Sequence, residues 1–364
     1  MDFRPEDNPY TLQFSFIPPR YISRKSLTEE ITQDLKKKVP AFRGHFITGV
    51  RGSGKSVLLA DIMRIMDKNS DWVIVDIENP LGDIIDSLVR GLYRRKELKS
   101  LFLKAKVDIS VLGLGVSIEN AGAVASNAKD ALDMMLRVLK KEGKRVLVTI
   151  DEVTCSNGIE DFSHTLSAHA RAGYEIYTLM TGLKENIKAI KNNKSLTILY
   201  RAKEHILPPL NVTAMIADYM NVLCVDRDRA EQMAWYTRGY SFAFQVLGYL
   251  YWEELCRSEG KDIDQDRIDA GFDQFLAEFV YDKLWSELTG KEKTVMRGIA
   301  KCGSSEVKAV REIIGMDSSE FGVYRNRLVD KGLIDGTEYG KVRFVLPRFR
   351  DYIMINGNGT NVEF

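Results

Sequence analysis

Residues 49–56 read Gly49-Val50-Arg51-Gly52-Ser53-Gly54-Lys55-Ser56, and they fit G-x-x-x-x-G-K-[ST], the spacing of a loop that wraps a polyphosphate. The flanks agree with that reading. Phe46-Ile47-Thr48 reads as a strand end, and Val57, Leu58, Leu59, Ile62, Met63 and Ile65 recur at helical spacing. Gly49, Gly52 and Gly54 carry no Cβ that would keep backbone N–H groups from closing around phosphate oxygens. The helix that follows adds the partial positive charge of its N-terminus. Lys55 is expected to reach the β- and γ-phosphates, and the Ser56 hydroxyl to ligate Mg²⁺. Arg51, Ser53 and Val57 belong to the same expected cofactor contact.

A second element lies about a hundred residues on. Val146-Leu147-Val148-Thr149-Ile150-Asp151-Glu152-Val153 is a nearly continuous apolar run, as in a strand buried on both faces of a parallel sheet. Carboxylates at the C-terminal end of such a strand sit where open α/β sheets bind ligands. Asp151 is placed to hold the Mg²⁺ shell, and Glu152 to orient or deprotonate a water in line with the γ-phosphate. A strand ending in Asp-Glu is common by itself. Together with a phosphate loop it points to nucleotide hydrolysis and away from a small-molecule kinase, which needs a hydroxyl acceptor site.

At 364 residues, 45% of them hydrophobic, the chain is long enough for two or three soluble domains. Lys and Arg number 52 against 51 Asp and Glu, so bulk charge draws no polyanion and any nucleic-acid affinity needs a local basic face. Cys155, Cys224, Cys256 and Cys302 show no paired spacing and read as reduced thiols of a cytoplasmic protein, not a disulfide frame or zinc site. The histidines make no ligand set. No signal peptide and no bilayer-spanning run is read, so no membrane partner is expected; Phe242 to Trp252 reads as a buried helix.

Outward from the two motifs, strand and helix patterns alternate in the βαβ manner. Strand-like runs fall at 45–50, 72–77, 146–151, 175–181 and 205–207. Helical runs fall at 55–67, 81–94, 125–141, 159–172 and 183–190. The expected core is an α/β domain over 41–210 whose parallel sheet carries helices on both faces. Residues 1–40 form a polar lead-in ending in a helix from Ser26 to Lys38, with Ser26 and Glu29 as a capping box. Alternation from Val107 to Glu119 around Gly113-Leu114-Gly115 predicts an inserted β-hairpin at about 105–120.

After Pro208-Pro209 the pattern is wholly helical, giving a helical lid over 211–286. Helix patterns at 291–300, 307–314 and 318–331, then strand patterns to Leu346, describe a winged helix-turn-helix over 287–353. Arg325, Arg327 and Lys331 lie on its third helix, and Lys341, Arg343, Arg348 and Arg350 in or after its wing. The excess of basic side chains suits double-stranded DNA, with Arg325, Arg327, Lys331 and Arg343 as contact candidates. Asp330 and Asp335 dilute it, and protein contact is an equal reading. Residues 354–364 read as a frayed tail.

The order of these motifs resembles the AAA-related, STAND/ORC-like P-loop ATPases (the ASCE class), particularly bacterial and archaeal ATP-binding proteins with a C-terminal winged helix. The resemblance runs from Asn8-Pro9-Tyr10 to Tyr352. It implies ATP as the nucleotide, and no Asn/Thr-Lys-x-Asp guanine-reading motif is present. Pro18-Pro19 with Ser23-Arg24-Lys25 is similar to the family's adenine-bordering "PP…GR-x" box, with Ser23 in place of glycine, and makes Arg24 a cofactor contact. Residues 49–56 and Asp151-Glu152 match the two Walker motifs. Thr181 falls at the family's polar sensor position; read by itself, it equally fits a threonine capping the next helix. Arg201 falls where AAA-like proteins place an arginine finger aimed at a neighbouring subunit, which implies a homo-oligomer; an exposed arginine without that duty is the other reading. Gly239-Tyr240-Ser241 resembles the lid's G-x-P motif, with serine for proline. The function implied is Mg²⁺-dependent ATP hydrolysis that moves the lid and winged helix against DNA or a protein partner. The alternative is a nucleotide-regulated switch with little turnover.

Overall fold

The computed structural model describes residues 3–13, 17–114 and 123–357. The chain divides into two compact units. One comprises Arg24–Thr48 and Lys55–Leu207, the other Met1–Ser23, Gly49–Gly54 and Pro208–Phe364.

The first unit is built on a five-stranded parallel sheet. Its elements are α1 (Lys25–Lys36), β1 (Gly44–Thr48), α2 (Lys55–Asp67), β2 (Trp72–Ile77), α3 (Ile84–Arg94), α4 (Lys96–Lys104), β3 (Val107–Asp108), β4 (Ala123–Val124), α5 (Ala128–Lys141), β5 (Arg145–Ile150), α6 (Asn157–Arg171), β6 (Ile176–Gly182), α7 (Lys184–Asn192), α8 (Thr197–Tyr200) and β7 (Lys203–Ile206). The strand order is β2-β5-β6-β1-β7. Side chains alternate between faces with the period of a strand. Phe46, Val73, Val75, Val146, Val148, Ile150, Ile176 and Met180 join the core formed with α3, α5, α6 and α7. Ile47, Trp72, Ile74, Leu147, Tyr177 and Leu179 face the opposite way, onto Ile31 and Leu35 of α1 and Leu58, Leu59, Ile62 and Met66 of α2. Both faces are therefore covered, as the near-continuous apolar strands require.

Three local readings differ from this structure. α1 starts at Lys25 with Arg24 as N-cap and no side-chain cap, so Ser26 lies inside the helix and makes no capping box. The Arg24 carbonyl accepts from Leu27 and Thr28 instead. Of the hairpin expected at about 105–120, residues 115–120 lie outside the described residues; its first arm is extended only at Val107–Asp108, which pairs in parallel with Ala123–Val124, and Ser110–Leu112 is a 3-10 turn. Of the frayed tail read at 354–364, residues 354–356 close the last helix, Phe349–Asn356, and residues 358–364 lie outside the described residues.

The second unit continues with α9 (Val212–Leu223), α10 (Arg227–Tyr236), α11 (Ser241–Arg257), α12 (Gln265–Leu276), α13 (Asp282–Ser286), α14 (Gly290–Lys301), α15 (Val307–Ile314), α16 (Ser318–Asp330), β8 (Ile334–Asp335), β9 (Arg343–Phe344) and α17 (Phe349–Asn356), with a π turn at Ala277–Tyr281. β8 and β9 pair antiparallel, and a further antiparallel bridge joins Glu306 to Lys341. The N-terminal lead-in lies across α11. Tyr10 is buried against Gly248, where an added Cβ would come within 2.5 Å of its ring. Its hydroxyl donates to Asp218 at 2.8 Å, and Arg20 pairs with the same carboxylate. Gln245 of α11 is bonded to the backbone of Thr11 and Arg20. Among the described residues no helix is long and apolar enough to cross a membrane.

Candidate phosphate-loop site

The glycine-rich turn joins β1 to α2. Gly52 and Gly54 adopt φ of +72° and +92°, left-handed values that a side chain would strain. The Ser53 N–H closes the turn on the Val50 carbonyl at 3.3 Å. α2 begins at Lys55, which is buried, with Ser56 and Val57 half-buried in its first turn. First-turn N–H groups have no acceptor within their own helix, so this end of α2 suits an anion. Arg51 sends its guanidinium to Glu287 at 3.6 Å. Its carbonyl accepts from the Tyr240 hydroxyl at 2.7 Å, and the Ser53 carbonyl accepts from Ser241 Oγ at 2.7 Å.

In the first unit β6 lies between β5 and β1, so the ends that lead to Asp151 and to the loop are separated by one strand. At the end of that intervening strand, buried Thr181 donates its hydroxyl to Asp151 Oδ1. The same oxygen of Thr181 accepts from the Glu152 N–H at 3.1 Å. It does not cap α7, whose N-cap is Leu183, so the capping alternative gives way to an anchor for the acidic strand end. The Glu152 backbone sits at φ +53°, a left-handed conformation that costs a residue with a Cβ and persists where the surroundings enforce it. The Glu152 N–H bond to Thr181, together with Val153 N–H to the Thr181 carbonyl at 2.8 Å, does so. Glu152 is exposed and Asp151 half-buried.

Asp76 of β2 went unread in the sequence. Thr149 Oγ1 of the neighbouring β5 donates to it at 2.6 Å. Burial pushes its carboxyl above the usual range, and the nearby charges of Asp151 and Glu78 add to the effect against the Thr149 bond. A lone acid in the apolar run Trp72–Ile77 was the available signal.

The other predicted residues are divided between the two units. Arg24 is half-buried at the start of α1, and burial pushes its guanidinium down to about 10. Arg201 ends α8, exposed and without an ion-pair partner among the described residues. In the C-terminal segment Arg325 donates to the Gly336 carbonyl at 2.5 Å. Lys341 and Arg343 both pair with Glu338, Arg348 pairs with Asp273, and Arg350 donates to the Ala300 carbonyl at 2.8 Å. Lys331 is half-buried. Arg327 is exposed, its guanidinium 5.5 Å from the Tyr324 ring centre.

Residues 278–353 match the family described as Domain of unknown function (DUF8462). No curated protein matches the chain. Solved structures do. The Walker-type ATPase of Pyrococcus abyssi superposes with a TM-score of 0.64 at 15% identity, covering 92% of this chain and 96% of that one. The ORC2 protein of Aeropyrum pernix, in ADPNP–ADP complexes, gives 0.64 at 15% identity over 95% and 97%. Cdc6p of Pyrobaculum aerophilum gives 0.51 at 14% identity over 94% and 95%. The chain has the fold of the ORC/Cdc6-like P-loop ATPases: a central parallel sheet flanked by helices and followed by a helical C-terminal region.

Proposed function

We propose that this chain is a Mg²⁺-dependent ATPase whose C-terminal segment, a winged helix over 287–353, acts on double-stranded DNA. The observation that carries the reading is the Thr181–Asp151–Glu152 arrangement one strand away from β1, the strand that runs on into phosphate-binding sequence. It is an acid held by a hydroxyl, beside a second acid whose backbone is fixed in a strained conformation. Gly49, Arg51, Gly52, Ser53, Gly54, Lys55, Ser56 and Val57 would hold the triphosphate, and Arg24 would border the base. Ser56 and Asp151 would hold the metal, whose positive charge would offset charge building on the phosphate oxygens. The residues fit that group: a hydroxyl at a helix N-terminus and a carboxylate at a strand end are hard oxygen donors of the kind Mg²⁺ takes. Glu152 would align and deprotonate water, and Thr181 would keep Asp151 in place. Arg201, exposed and without an ion-pair partner among the described residues, fits an arginine offered to a second copy of the chain.

A second reading of the C-terminal segment is favoured by its ion pairs. Arg325, Lys341, Arg343, Arg348 and Arg350 are already bonded within the segment or to Asp273. Tyr339 at the turn between β8 and β9 is fully exposed. Both facts suit a protein partner. ATP turnover with and without duplex DNA tests the two together. Wild type should hydrolyse ATP, and Glu152→Gln should bind it yet lose turnover by at least about a hundredfold. Equal turnover by the two proteins would overturn the role of Glu152. A rate indifferent to DNA, with no binding at low salt, would favour the protein partner.

A further inference from the structure

Three consecutive carbonyls of the phosphate loop are held by three consecutive residues at the start of α11. Tyr240 Oη donates to the Arg51 carbonyl at 2.7 Å. The Phe242 N–H donates to the Gly52 carbonyl at 3.1 Å, and Ser241 Oγ to the Ser53 carbonyl at 2.7 Å. Tyr240 is the N-cap of α11 but makes no side-chain cap of its own helix, so its hydroxyl serves the loop. The ring is buried, and burial raises the phenol's pKa far above its ordinary value, which keeps it a donor at any working pH. A Cβ on Gly52 would collide with that hydroxyl, and a Cβ on Gly54 would come within 3.2 Å of Ser241 Oγ. Both glycines therefore answer to α11 as well as to a ligand.

In a trans peptide the C=O of one residue and the N–H of the next point in opposite directions. Fixing the carbonyls of Arg51, Gly52 and Ser53 thus fixes the N–H groups of Gly52, Ser53 and Gly54 on the other side. The Ser53 N–H closes the turn, and the remaining two flank it. Held on that side, the Gly52 and Gly54 N–H groups can share in an anion-binding concavity.

We propose that Tyr240 and Ser241 are positioning residues that clasp the phosphate loop in its anion-binding conformation before nucleotide arrives. The proposal rests on the ATP reading above. A loop ordered in advance loses less freedom on binding, so the clasp acts on affinity.

The test uses the full chain as wild type, Tyr240→Phe, Ser241→Ala, the double variant and Ser241→Thr. Hydrogen–deuterium exchange of peptides covering 49–56, without nucleotide, should quicken about tenfold or more in the double variant. Calorimetric Kd for Mg·ATP should rise about five- to tenfold for each lost hydroxyl, while kcat at saturation stays near wild type. Ser241→Thr keeps the hydroxyl and should restore both. Unchanged loop exchange in the double variant overturns the clasp, as does Ser241→Thr behaving like Ser241→Ala. If wild type gives no heat with Mg·ATP, the ATP reading fails, and the exchange measurement still decides the clasp.

Discussion

Thr181 and Asp151 carry the residue-scale argument. The hydroxyl stands between the carboxylate it donates to and the amide it accepts from, so removing it frees both at once. Thr181→Val should therefore lower turnover by roughly ten- to a hundredfold, the effect of a lost hydrogen bond to a charged group, with the fold kept. Steady-state ATPase assays beside a thermal melt would check this; wild-type turnover in the variant would remove Thr181 from the site. Lys55→Ala should abolish detectable Mg·ATP binding by calorimetry. Lys55, Ser56, Asp151 and Glu152 could be named as candidates because local sequence patterns single them out. The Thr181–Asp151 and Asp76–Thr149 bonds were not, because each joins neighbouring strands whose register depends on the whole sheet.

Single elements show where local patterns suffice and where they mislead. The helices at 307–314 and 318–330 follow the apolar spacing closely. The capping box read at Ser26 is absent, while a true one closes at Thr289 and Glu292. Both stretches offer the same S/T-x-x-E signature, and only the point where the helix starts separates them. Thr289→Ala should cost about 1 kcal/mol in urea unfolding, and no loss would mean the box is idle. On the edge of the sheet, β1 and β7 bring His45 and His205 together, with ring nitrogens 3.0 Å apart in the interior. Burial, then the neighbouring His205, push His45 down to about 4. The unfolded chain binds that proton more readily, so stability rises with pH between about 4 and 6.5 and is lost on acidification through that window. Urea midpoints at pH 7 and pH 5 should fall for wild type and fall less for His45→Asn; equal falls would remove the histidine pair as the cause.

On the scale of the molecule, composition foresaw a chain with no bulk charge bias, and the structure shows how little of the local basic excess is unspoken for. Arg327 is the exposed member of the proposed DNA set whose guanidinium meets a ring and no described carboxylate. If the segment grips DNA, Arg327→Ala should reduce the slope of log K against log salt by close to one unit, measured by fluorescence anisotropy between 50 and 200 mM salt. An unchanged slope would take Arg327 out of contact with phosphate. Arg325→Ala should act differently, loosening the turn at Gly336 that it holds and so lowering the melting temperature.

The division of the chain has a practical outcome. The peptide runs from one unit to the other after Ser23, Thr48, Gly54 and Leu207, so no single cut separates them. A fragment trimmed to 24–207 would contain every residue of both nucleotide motifs and still discard the tyrosine and serine that grip the turn at 51–53. Such a fragment, however well it folded, would offer ATP a slack loop, and weak binding by it would say nothing against the intact protein.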